Sequence, residues 1–136
     1  MDLDTLNRMS PGTLPGHLGI VVTALLNQEL HAELEVLPHL MAPNGFLHAG
    51  TILTLADTSA GYGCLAHLPP GAQSFTTLEI KSNHLATARD GRLQCIAQAV
   101  HLGRSTQLWD ASVRHLGSGK TLALFRCTQM LLYPKG

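Results

Sequence analysis

The chain is short of charge. Only 13% of its 136 residues are Asp, Glu, Lys or Arg, against about 25% in an average soluble protein. The formal net charge is zero. With no basic patch and only 4% aromatic residues, nothing offers a nucleic-acid surface, and no nucleic-acid partner is expected. Long apolar runs are missing as well. The apolar run at residues 18–26 is far too short to span a bilayer, so no membrane partner is expected. Asp2 and Asp4 stand where a secretory leader would be basic. Cys64, Cys95 and Cys127 are odd in number and widely spaced. They make neither a disulfide framework nor a zinc pattern, which fits a reducing cytoplasm. The shortage of charge leaves one positive expectation: part of the surface is hidden in subunit contacts.

What is present is a regular order of elements. The length fits a single domain, 1–136, with a real core. Residues 2–9 read as a short helix, and Pro11, Gly12, Pro15 and Gly16 then break the chain. Residues 18–26 read as a strand, Asn27-Gln28 as a turn, and residues 29–36 as a half-buried strand. In that second strand Leu30, Ala32, Leu34 and Val36 alternate with Glu29, His31, Glu33 and Glu35. Residues 38–45 are loop. One long helix is expected from His48 to about Leu68, ended by Pro69-Pro70-Gly71. Four strands follow at 75–85, 93–102, 106–115 and 121–132, with turn signals at Arg89-Asp90-Gly91, Gly103-Arg104-Ser105 and Gly117-Ser118-Gly119-Lys120. One helix and about five to six strands predict an α+β layer structure, an antiparallel sheet wrapped around the helix.

The chemistry gathers at the start of that helix. Pro43-Asn44-Gly45-Phe46-Leu47-His48-Ala49-Gly50 is a turn-forming loop that ends in a histidine and two small residues. A small-residue turn at a helix start presents unpaired N–H groups and the positive end of the helix dipole, a place for negative charge developing on an oxygen. Asp57 then sits in mid-helix among Leu55, Ala56 and Ala60. A carboxylate there is expensive to bury, and mid-helix it caps nothing.

This order of elements, with residues 44–58, resembles the hotdog fold. More narrowly it resembles the acyl-CoA thioesterases of the phenylacetate-degradation (PaaI-like) type. Members carry a Gly-x-x-His-Gly-Gly turn, a helix, and an Asp or Glu nine residues after the histidine. Gly45-Phe46-Leu47-His48-Ala49-Gly50 and Asp57 match that spacing, and residues 75–85 resemble the strand that follows. The likeness covers roughly residues 18–133, with the helical extension 2–9 outside it. It implies an acyl-CoA substrate and hydrolysis to a free acid and CoA, with no cofactor and no metal. It also implies a homo-oligomer, a dimer or a dimer of dimers, with sheets paired into one and the active site at the interface.

Residue by residue, the resemblance makes Asp57 the catalytic carboxylate, either general base on a water or direct attacker. The Ala49 N–H, beside Gly50, would polarise the thioester oxygen, and His48 would orient the turn or the substrate. Thr77 stands where some relatives place a hydroxyl that positions the water, with Thr58 and Gly61 as neighbours of Asp57. Relatives often carry Asn or Gln six residues before the histidine; here that position is Ala42 and the amide is Asn44. Arg104 and Ser105 would border the nucleotide end of coenzyme A, with Arg126 and Lys120 weaker candidates. Asn83 completes the candidate substrate contacts, and Tyr62 is a candidate lining of the acyl pocket. Ala56, Ser59, Ala60 and Gly63 would leave room along the helix for the acyl group. Cys64 reads as filler and Trp109 as packing. His31, His39, His48, His67 and His84 show no ligand spacing. Two rivals stand beside this reading: a hotdog dehydratase or hydratase, and a binding module that holds an acyl-CoA without cleaving it.

Overall fold

A computed structural model describes residues 1–135. Its elements in chain order are α1 (Leu3–Met9), α2 (Leu14–His17), β1 (Val21–Leu26), β2 (Glu29–Glu35), a 3-10 turn (Pro38–Leu40), α3 (Ala49–Ala66), β3 (Ser74–His84), β4 (Arg92–Leu102), β5 (Thr106–His115) and β6 (Thr121–Leu132). All neighbouring strands are antiparallel, in the order β1-β2-β4-β5-β6-β3. One long helix lies against one face of this six-stranded sheet, the architecture expected.

Local chemistry explains the boundaries. Asp2 accepts from the Thr5 N–H at 2.8 Å and caps α1, and Leu6, fully buried, pins it to the core. The Asn7 amide takes both the N–H and the C=O of Val22, at 2.8 and 2.9 Å. Two expectations need correction here. The segment after Pro11 is not merely a break: Thr13 starts the one-turn helix α2, with Pro15 in its first turn. The first strand begins at Val21, not Leu18, because Gly19 turns the chain with φ +74° and Leu18 still caps α2. Alternation did hold in β2, where Leu30, Ala32 and Leu34 are fully buried.

The sheet's inner face meets α3 through small residues. A Cβ on Gly63 would lie 2.7 Å from the Trp109 ring, and one on Gly61 would lie 3.0 Å from Phe75 Cζ. Ala56, Ser59, Ala60 and Gly63 are all buried against the chain's own sheet, and the Ser59 hydroxyl is spent on the Leu55 carbonyl at 2.7 Å. The expected room for an acyl group beside these four is therefore absent; close helix–sheet packing uses it. At the far edge, β3 pairs among the described residues with β6 alone. It carries a bulge at Leu78, between the pairs Thr77↔Gln129 and Glu79↔Thr128, and it leaves Leu78 57% and Ile80 40% exposed.

Candidate active site

The turn before α3 is built by its own backbone. Ala42 N–H donates to the Phe46 carbonyl at 2.7 Å and Gly45 N–H to the Ala42 carbonyl at 3.0 Å, with Gly45 at φ +86°. Asn44 Oδ1 accepts from the Phe46 N–H at 3.1 Å, so this side chain shapes the turn. The Arg89 guanidinium lies 4.2 Å over the Phe46 ring, and Leu47 N–H donates to the Ala88 carbonyl at 2.9 Å. The loop after β3 thus clamps the turn from outside.

His48 is the N-cap of α3. Its Nδ1 accepts from the Gly50 N–H at 2.7 Å, which places the ring proton on Nε2. Thr51 N–H returns to the His48 carbonyl at 2.9 Å. The first-turn N–H left over is that of Ala49: it has no acceptor among the described residues, and Ala49 is exposed. Of the two small residues expected here, Gly50 is spent on the histidine and Ala49 presents the free donor on the positive end of the helix.

Asp57 lies half-buried further along α3, and burial alone raises its carboxyl above the ordinary 3.8; no hydrogen bond or ion pair holds it among the described residues. What it faces follows from two fixed points. Gly61 packs on Phe75, near the start of β3, while Leu47, just before α3, bonds to Ala88, just past the end of β3. The helix and β3 therefore run antiparallel. One turn back from Gly61, about 6 Å, brings Asp57 level with the stretch two or more residues beyond Phe75, at Thr77 and the Leu78 bulge. A second observation agrees. Cys127, the strand partner of Ile80, has its thiol pushed up to about 12, first by burial and next by the charge of Asp57.

The other candidates divide. Thr77 faces inward, and its hydroxyl donates to Gln129 Oε1 at 2.7 Å. Thr58 is half-buried beside Asp57, and Gly61 is buried under Phe75. Tyr62 does not join them. Its hydroxyl bonds to Ser10 Oγ at 2.8 Å, and five residues of helix turn it about 140° from Asp57. Asn83 sits with Lys81 on the outer face of the sheet, beside a groove of about 480 Å³ floored by the Arg126–Asp110 ion pair; the sheet separates it from α3 of its own chain. Arg104 and Ser105 are exposed at the β4–β5 turn, where the Tyr133 hydroxyl bonds the Arg104 carbonyl. Arg126 is already paired with Asp110.

Sequence reasoning missed Gln129 and Gln107, both fully buried on the inner face. The signal was there: each stands where the alternation of its strand puts an apolar residue. Among the described residues, no three His, Cys, Asp or Glu side chains gather into a metal site, and no helix is long and apolar enough to cross a membrane. All three cysteines are free and buried.

The fold that holds this turn and this helix has close counterparts. Residues 44–122 match the family model described as "Thioesterase superfamily". The chain belongs to the thioesterase superfamily. It is 33% identical over 111 residues to 1,4-dihydroxy-2-naphthoyl-CoA hydrolase of Listeria monocytogenes, covering 82% of this chain and 89% of that protein. It is 34% identical over 110 residues to the proofreading thioesterase EntH of Cronobacter sakazakii, covering 81% and 80%. The solved structure of a mutant of thioesterase PA1618 from Pseudomonas aeruginosa superposes with a TM-score of 0.92 at 30% identity, covering 98% of this chain and 96% of that one. The fold is the hotdog fold, and this superfamily member is a thioester hydrolase.

Proposed function

We propose that this thioesterase hydrolyses an acyl-CoA at a site assembled from two copies of the chain. Asp57 of one copy acts as general base, and the Ala49 N–H of the other holds the oxyanion. The observation that carries the reading is a distance. Ala49 and Asp57 are eight residues apart on one straight helix, about 12 Å along its axis. The donor stands about 3 Å from the carbonyl oxygen and the base about 3 Å from the water poised on the carbonyl carbon, so the two flank one short carbonyl–water pair. One chain cannot bring its own pair together, but two antiparallel helices set Asp57 of one opposite Ala49 of the next. The β3 edge, unpaired and apolar at Leu78 and Ile80, supports such a pairing, which joins two sheets into one.

The reaction then runs as follows. Water attacks the carbonyl carbon and gives a proton to Asp57. The carbonyl electron pair moves onto the oxygen, which the Ala49 N–H stabilises. As the carbonyl re-forms, the C–S bond breaks and Asp57 returns the proton to the departing sulfur. The raised carboxyl pKa favours the general-base route, since a more basic carboxylate takes the water proton more readily. His48, with its proton on Nε2, stands at the same turn as a donor that orients the substrate. Arg104 and Ser105 sit at the β4–β5 turn beside Tyr133, whose ring lies against Gly71 just past α3, and a pantetheine arm running toward the C-terminal end of α3 would deliver the phosphates there. Water, a carboxylate and backbone donors suffice for this chemistry, so the reading calls for neither metal nor cofactor.

The test is CoA release from short, medium, long and aryl acyl-CoAs, followed with a thiol reagent, for wild type and Asp57→Asn. Turnover of at least one ester, lowered about 10²- to 10⁴-fold in the variant with binding retained, is expected. Tight binding of CoA esters with no release by the wild type would make the chain a binding module instead.

A further inference from the structure

Two glutamines face each other across β5 and β6 under α3, Gln107 and Gln129, neither with any exposed surface. Gln107 is fully used by the fold. Its Nε2 donates to the His67 carbonyl and its Oε1 accepts from Trp109 Nε1, both at 2.8 Å. Gln129 is different. Its Oε1 accepts the Thr77 hydroxyl proton at 2.7 Å, but among the described residues its amide N–H groups find only the Cys127 sulfur, at 3.5 Å, and a thiol is a weak acceptor. A buried amide so poorly partnered on its donor side costs stability. A leucine in its place would avoid that cost, so the carbonyl end must supply something.

What it supplies is the direction of one proton. A threonine hydroxyl has a single hydrogen and two lone pairs. With its hydrogen committed to Gln129, Thr77 can only accept. Thr77 is exposed, inward-facing and level with Asp57, and Asp57 accepts too. A water between two acceptors points both hydrogens at them and leaves its lone pair for a third partner. That orientation is what attack on a carbonyl carbon requires.

We propose that Gln129 is a positioning residue: by taking the Thr77 proton it makes Thr77 an obligate acceptor, so that Thr77 and Asp57 hold the two hydrogens of the hydrolytic water and aim its lone pair at the thioester carbon. The inference rests on the reading of Asp57 as general base. It adds no atoms to that step: the hydrogen facing Asp57 is the one transferred, and the one facing Thr77 stays on the oxygen of the product acid.

The experiment is steady-state hydrolysis of the best acyl-CoA by the full chain carrying Gln129→Met, Thr77→Val, both together, or Thr77→Ser. Each of the first two lowers kcat about 10- to 100-fold with KM held within about twofold. The double variant is no slower than the slower single, because both remove the same water contact. Thr77→Ser, which keeps the hydroxyl, recovers most of the loss. Melting temperature is recorded for every variant. Full kcat in Gln129→Met, losses that multiply in the double variant, or a loss confined to KM overturns the proposal. So does failure of both Gln129→Met and Gln129→Leu to fold, which would make the residue structural. Asp57→Asn, run in parallel, separates the two claims. If it keeps its turnover, the reading of the site falls; if it is silent while Gln129→Met and Thr77→Val run at full rate, only the role of Gln129 falls.

Discussion

Each end of α3 carries a histidine, and the two are put to opposite uses. At the C-terminal end, His67 is saturated. Its Nδ1 meets the Gly63 carbonyl at 2.7 Å, its Nε2 accepts from the Gln28 N–H at 2.8 Å, and the ring leans on Trp109. Gln107 takes its carbonyl. At the N-terminal end, His48 is exposed, spends one nitrogen on Gly50 and, among the described residues, leaves both its Nε2–H and the neighbouring Ala49 N–H open. The same residue type closes one terminus and exposes the other. The lesson is that residue identity at a helix end says little; whether the orphan backbone groups are satisfied marks the end that has chemistry left to do.

The sharpest way to break that contrast is Ala49→Pro. Proline at the first helical position is well tolerated, and His48 before it, at φ −66° and ψ 134°, already has the backbone a proline demands. The change removes one N–H and leaves the helix standing. A fall in kcat of about 10²- to 10³-fold at an unchanged melting temperature is expected. Mixing this variant with Asp57→Asn sharpens the two-copy reading further. After subunit exchange, half the dimers carry one site with both residues intact, so about a quarter of wild-type activity should return. No recovery, with exchange verified by mass, would place both groups in one chain.

The closed end is tested by Gly63→Ala. In an exposed helix this change stabilises by about 1 kcal/mol. Here the new Cβ meets the buried Trp109 ring at 2.7 Å, and overpacking of that kind costs about 1–3 kcal/mol. Chemical denaturation should show a net loss of stability, with kcat per folded molecule unchanged.

A smaller effect is expected from pH. Asp57 titrates above its ordinary 3.8 because it is partly buried. Activity should fall on the acid side with a midpoint above that value, as the base is protonated. For stability the sign is reversed. Between the unfolded and folded pKa the native state binds the extra proton, so stability declines as pH rises through that window and levels off above it. Asp57→Asn should remove that slope and be no less stable than wild type at neutral pH, measured by thermal melts across the acid range.

How much of this was legible in the sequence depended on how local the cause was. Strict alternation located β2, because one face is buried and a single slip would turn every side chain over; the later strands were bracketed by their turn signals. The 3.6-residue spacing told which helix residues share a face, but not that Trp109 fills the notch at Gly63, so the gap read as substrate space is packing space. Leu18 and Ile20 are buried as an apolar run should be, yet Gly19 between them takes a left-handed turn, and the strand starts later. Tyr62 found its partner at Ser10, 52 residues away, which no periodicity encodes. The nine-residue spacing of His48 and Asp57 was legible; that the two would serve a site shared between copies came only with the family resemblance.

The Asn7 side chain has an outcome far from the site. By occupying the outward N–H and C=O of Val22, beside the irregularity between Val22 and Ala24 in the β1–β2 register, it blunts the start of the β1 margin, whereas the β3 margin carries exposed Leu78 and Ile80. A sheet that pairs through β3 alone, as in the proposed two-copy site, is lengthened once by a copy of itself, and no second β3 edge remains to extend. Association of this kind counts to two along the sheet and stops, which is the difference between a finite assembly and a fibre.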